Sequence, residues 1–105
     1  MRVSNLSSPR SGSPVANQYE ITDGNIVTFQ SYETVIAQKV GYNYTFSSAW
    51  NYSVTTGKYL NVWLREYGWT DSEIKQLKKW LAQASDGDTT GAIFENVTVN
   101  YRDSL

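Results

Sequence analysis

Near residue 56 the hydrophobic period of this chain changes. Before it, β-branched and aromatic residues alternate in short runs broken by glycine. After it, Leu60, Trp63, Leu64 and Tyr67 recur at i, i+3, i+4 and i+7, the spacing of one face of an α-helix. Strands first and helices second imply an α+β fold, with the helices gathered on one side of a mainly antiparallel sheet.

The strands are read from their turns. Residues 19–22 alternate, Asp23-Gly24-Asn25 is a hairpin turn, and Ile26–Ser31 continues in β-rich residues. Thr34–Val40 is a further run, ended by Gly41, and residues 42–46 place Tyr42, Tyr44 and Phe46 on one face by alternation. Residues 93–101 set Val97, Val99 and Tyr101 against Asn96, Thr98 and Asn100, as in a strand returning to the sheet. The expectation is a small sheet of four to five strands packed with two helices in the C-terminal half. Residues 4–17 hold both prolines and have no apolar period, so residues 1–17 are expected to form a flexible lead-in and 18–105 a single domain.

The first helix is expected over residues 56–67, with Thr55 or Thr56 as its N-cap and Gly68 as its stop. Thr70-Asp71-Ser72-Glu73 has the form of a capping box, and Trp69 with Ile74 forms a hydrophobic staple. The second helix therefore begins at Asp71, turns Ile74, Leu77, Leu81 and Ala84 inward, and ends near Asp86-Gly87.

Composition removes several kinds of chemistry. The 105 residues include neither cysteine nor histidine, which excludes disulfides, thiolate or imidazole metal sites and histidine-based triads. Nine basic and ten acidic side chains give a formal charge of -1, which argues against a broad basic face for nucleic acid or anionic membrane. No carboxylate pair with an orienting group, phosphate loop or dinucleotide fingerprint occurs. The expectation is a protein that is not an enzyme and has no cofactor. Asp86-Gly87-Asp88-Thr89-Thr90-Gly91-Ala92-Ile93 matches the first eight positions of a calcium loop, but Val97 stands where the bidentate Glu belongs. It is read as an ordinary connection, and no metal is expected. Residues 1–5 start no signal-peptide pattern, and no run of about 18 apolar residues occurs anywhere, so a cytoplasmic protein without a membrane span is expected.

The richest segment is 50–60, where Trp50, Tyr52, Thr55, Thr56, Lys58 and Tyr59 gather at the entry to the first helix. Free backbone N–H groups and the positive end of the dipole favour an anion or carboxylate there. Simple helix capping is the competing account. A different reading treats residues 56–84 as a helix pair that binds nucleic acid through Lys75, Lys78 and Lys79, although Asp71 and Glu73 oppose it at the leading end of the second helix.

Two blocks carry a resemblance. Pro14-Val15-Ala16-Asn17-Gln18 leads to Phe29-Gln30-Ser31-Tyr32-Glu33-Thr34-Val35-Ile36-Ala37, and Tyr52-Ser53-Val54-Thr55-Thr56-Gly57-Lys58-Tyr59-Leu60 follows. Over about residues 10–64 the chain resembles a family of small proteins encoded by bacteriophages and other mobile elements of bacteria. It departs from the pattern at Tyr59, where many relatives have histidine, and leaves residues 65–105 as an elaboration. The resemblance implies an origin in a phage or mobile element. With no catalytic set, a near-neutral charge and many Tyr and Trp side chains, the expectation is a phage-encoded, non-catalytic factor that binds and inhibits a host or defence-system protein, most concretely an anti-CRISPR or other anti-defence protein. Tyr32, inside the first block, joins segment 50–60 as an expected partner contact. A virion-associated or small-molecule-binding module is a third reading, and pairing of exposed strand edges into a homo-oligomer stays open.

Overall fold

Strand pairing follows from where the turns fall. The computed structural model describes residues 1–84, 89–90 and 96–105. Strands β1 (Arg2–Ser7), β2 (Pro14–Asp23), β3 (Ile26–Ser31), β4 (Thr34–Val40) and β5 (Asn43–Ser47) form an antiparallel meander. A 3-10 turn (Ser48–Asn51) then leads to α1 (Val54–Glu66) and α2 (Asp71–Leu81), and the chain closes with β6 (Thr89–Thr90) and β7 (Thr98–Arg102). The sheet order is β1-β2-β3-β4-β5-β7-β6, and β7 runs parallel to β5. A parallel neighbour requires a long crossover, which the helical pair supplies.

The α+β architecture with two helices and a mostly antiparallel sheet is as expected. The strand count is higher: among the described residues there are six strands of five or more residues, plus the two-residue β6. The surplus comes from the first seventeen residues, which carry β1 and the start of β2 where a flexible lead-in was expected. That hairpin is held by its backbone ladder and by Asn5 Nδ2 donating to the Val15 carbonyl at 2.8 Å, with Leu6 buried beneath it. Proline is tolerated because Pro14 is the first residue of its strand. Tyr42 is also displaced from its expected face, since it sits in the Gly41–Tyr42 loop and is exposed, while Tyr44 and Phe46 are buried.

Both helices start at polar caps. Ser53, rather than Thr55 or Thr56, is the N-cap of α1, accepting the Thr56 N–H at 3.1 Å. The Thr70 hydroxyl accepts the Glu73 N–H and the Glu73 carboxylate accepts the Thr70 N–H, so both bonds of the capping box are made at the start of α2. That helix stops at Leu81, short of Ala84. Asp86-Gly87, most of the calcium-like loop and residues 93–95 lie outside the described residues.

Cross-strand register decides what each face does. Glu20, Phe29, Ala37, Phe46 and Tyr101 form one rung, and Val27, Lys39, Tyr44 and Val99 another, on the face beneath the helices. Trp63 is fully buried at their centre, stacked on Phe29 at 6.1 Å between ring centroids and edge-on to Tyr44 at 6.0 Å. Its indole donates to Glu20 Oε1 at 3.0 Å, and the Tyr67 hydroxyl donates to the same oxygen. Each buried ring removes a large apolar area from water, and each polar tip is satisfied. The intervening residues, among them Val3, Tyr19, Ile21 and Gln30, point to the opposite face.

Candidate functional site

Three of the hairpins turn through two-residue loops: Gly24–Asn25, Tyr32–Glu33 and Gly41–Tyr42. In each, the first loop residue has positive φ: +60° at Gly24, +56° at Tyr32 and +60° at Gly41. Glycine adopts that conformation freely, whereas a bulky side chain there is strained. Two loops use the unstrained residue and the third places a tyrosine in the same backbone position. Strain of this kind persists where surrounding structure imposes it, and it concentrates at binding sites.

The imposing contacts are visible. The Tyr32 N–H donates to the Asn17 carbonyl at 2.7 Å, and Gln30 Nε2 donates to the Tyr32 carbonyl at 2.8 Å. Asn17 itself has a φ of +66°, which asparagine tolerates better than most residues. The loop is thereby tied to β2, and the Tyr32 ring stays 49% exposed.

That ring stands at the mouth of an open cleft of about 960 Å³. Val3, Tyr19, Ile21 and Gln30 supply its floor from the sheet face away from the helices, and Asn17, Tyr32, Glu33 and Thr34 supply one end. Tyr52 and Ser53, from the approach to α1, and Thr55 of its first turn form the other side. A chain of hydroxyls fixes the two sides together. The Ser53 hydroxyl donates to Thr56 Oγ1 at 3.1 Å, and Thr56 Oγ1 shares a further bond of 3.0 Å with Ser31 Oγ. Tyr52 is 76% exposed, so the cleft carries two accessible phenol rings over a mixed aliphatic and amide floor. Rings with few rotatable bonds and a polar tip contribute contact area at low entropic cost.

The expected contact residues divide. Tyr32, Tyr52 and Thr55 line the cleft. Thr56 and Tyr59 do not reach a surface: both are buried, Thr56 in the hydroxyl chain and Tyr59 in the apolar core. Trp50 is half-buried against that core, and Lys58 is exposed on α1 with its amine 5.5 Å from the Tyr59 ring centroid. Tyr19, Gln30 and Ser53 belong to the site and were missed by the sequence reading, although the serine three residues before Thr56 is an N-cap signal. The three lysines of α2 also part company. Lys75 and Lys78 face a separate groove between the helices, and Lys79 is exposed outside it.

A family model described as a family of unknown function, DUF8033, matches residues 1–96. The chain belongs to this family. No curated protein and no solved structure matches it. The DUF8033 match takes in β1, every cleft residue and both helices. The second helix, expected to be an elaboration beyond residue 64, is therefore part of the DUF8033 unit. Among the described residues no helix is long and apolar enough to cross a membrane.

Proposed function

We propose that this protein is a non-catalytic protein-binding factor whose contact surface is the cleft around Tyr32 and Tyr52. The observation that carries the reading is the strained backbone of Tyr32, which holds a half-exposed ring where the other two two-residue hairpin loops have glycine. Rigid, exposed aromatic anchors of this kind dominate the energetics of protein interfaces. The floor of Val3, Ile21 and Gln30 suits a partner segment that offers an apolar side chain flanked by backbone polar groups.

The resemblance to proteins of phages and mobile elements supports a host or defence-system protein as the target, with inhibition as the outcome and an anti-CRISPR or other anti-defence role as its most concrete form. The cytoplasm of the host bacterium is the corresponding setting. The experiment is affinity capture from host lysate with and without nuclease, comparing the natural chain with Tyr32→Gly and Tyr52→Ala. A stoichiometric protein partner that survives nuclease and is lost with either variant supports the proposal. A partner retained at full strength by both variants overturns the assignment of the cleft.

A further inference from the structure

On the far side of α1 a second, smaller concavity collects positive charge. Asn61 and Arg65 of α1 lie one turn apart, and Asp71, Lys75 and Lys78 of α2 share a helical face opposite them, together lining a groove of about 230 Å³ with Ile74. Three of the chain's nine basic side chains meet one carboxylate there, in a protein whose formal charge is -1. Asp71 is taken by Arg65, whose Nε donates to Oδ1 at 2.8 Å. The remaining cationic donors are uncompensated by any acid in the groove.

Lys78 is held deeper than its neighbours. Its Nζ donates to the Gly57 carbonyl of α1 at 3.1 Å. One ammonium hydrogen is used in that bond and two remain for a ligand. Burial, and then the charge of Arg65, lower the lysine pKa from its ordinary value. Asn61 adds a polar atom to the same wall: its Oδ1 is buried and has no hydrogen-bond partner.

We infer that this inter-helix groove binds a small phosphorylated ligand, its phosphoryl dianion held by Arg65, Lys75 and Lys78. A dianion relieves the mutual repulsion of the cations, and the Arg65 guanidinium and the two ammonium groups offer charge-assisted hydrogen bonds to its oxygens. Asn61 Oδ1 is an acceptor for a hydroxyl of the molecule that bears the phosphoryl group. The groove has room for one compact group, and the exposed carboxylate of Asp71 and the half-buried one of Glu73 disfavour a long polyanion across it.

The test is a titration of the natural chain with inorganic phosphate and, separately, with a sugar phosphate, against sodium chloride at matched ionic strength, followed by amide chemical shifts. Saturable shifts in residues 57–66 and 71–78 with either phosphate, absent with chloride, are expected. A sugar phosphate binding more tightly than phosphate identifies a metabolite, and equal affinity identifies the free anion. Lys75→Gln, which alters an exposed residue with no bond in the fold, is expected to weaken binding about tenfold, and Lys79→Gln to leave it unchanged. Shifts that chloride reproduces, or binding indifferent to Lys75→Gln, overturn the inference. Tighter binding of an oligonucleotide lacking a terminal phosphate also overturns it, in favour of nucleic-acid recognition by the helix pair. None of these outcomes touches the aromatic cleft.

Discussion

The Tyr32 N–H donates to the carbonyl of Asn17 at 2.7 Å, and both residues hold positive φ. One bond thus joins two uncommon backbone conformations, one at a hairpin loop and one inside β2. Replacing Tyr32 by glycine removes a steric penalty of about 1–2 kcal/mol, offset in part by the freer unfolded chain. Tyr32→Gly is therefore expected to keep or slightly raise the Tm while losing partner capture. A clear fall in Tm would mean that the ring supports the fold.

Gly57 lies inside the first turns of α1 with ordinary helical φ, and a Cβ built there meets only Lys78 Nζ at 3.8 Å, an ordinary contact. Glycine disfavours helix by about 0.5–1 kcal/mol relative to alanine. Gly57→Ala should raise the Tm by several degrees in a thermal melt. An unchanged or lower value would show that Lys78 is displaced from the Gly57 carbonyl.

Gln18 is fully buried, and neither its Oε1 nor its Nε2 has a hydrogen-bond partner. Methionine has a similar shape and no such polar atoms, so Gln18→Met is expected to stabilise the protein by about 1–3 kcal/mol. Urea denaturation reads this as a higher midpoint at unchanged slope. A destabilised variant would show that the amide is solvated inside the fold.

Burial, and then the charge of Glu20, raise the Glu66 pKa above its ordinary value. Glu20 in turn holds Trp63 and Tyr67, whose phenol is pushed up by burial and by that bond, with the Lys39 amine over the Tyr67 ring. A raised folded-state pKa favours the protonated native form, so the contribution to stability is full below the unfolded pKa and lost as pH rises through the folded one. Glu66→Gln should therefore exceed the natural chain in stability at neutral pH. The difference should shrink as pH falls through the carboxylate range. A constant offset at all pH values would assign the effect to something other than ionisation.

How much of this was legible in the sequence depended on the range of the interactions. The α2 cap was readable because its four residues are contiguous and its bonds are local. The period that identified α1 also carried a warning: Thr56, Tyr59, Leu60 and Trp63 stand at i, i+3, i+4 and i+7, so burial of Thr56 and Tyr59 follows from the same spacing. The β1–β2 hairpin escaped because its ladder bonds leave no mark in side-chain hydrophobicity. Tyr32 was singled out from a sequence block, but its backbone strain emerges only beside Gly24 and Gly41. The cleft draws on Val3, Tyr19, Gln30 and Tyr52, and local patterning does not report contacts that far apart.

The parallel seating of β7 against β5 has a kinetic consequence. The Asn100 side chain bonds the Tyr44 carbonyl across 56 positions, whereas the β1–β5 meander is built from adjacent hairpins. During synthesis the meander can pair as it leaves the ribosome, but β5 remains a bare edge until both helices and β7 have followed it. Nascent chains halted within α2 would present that edge to one another, making the interval before β7 emerges the period of greatest risk of self-association.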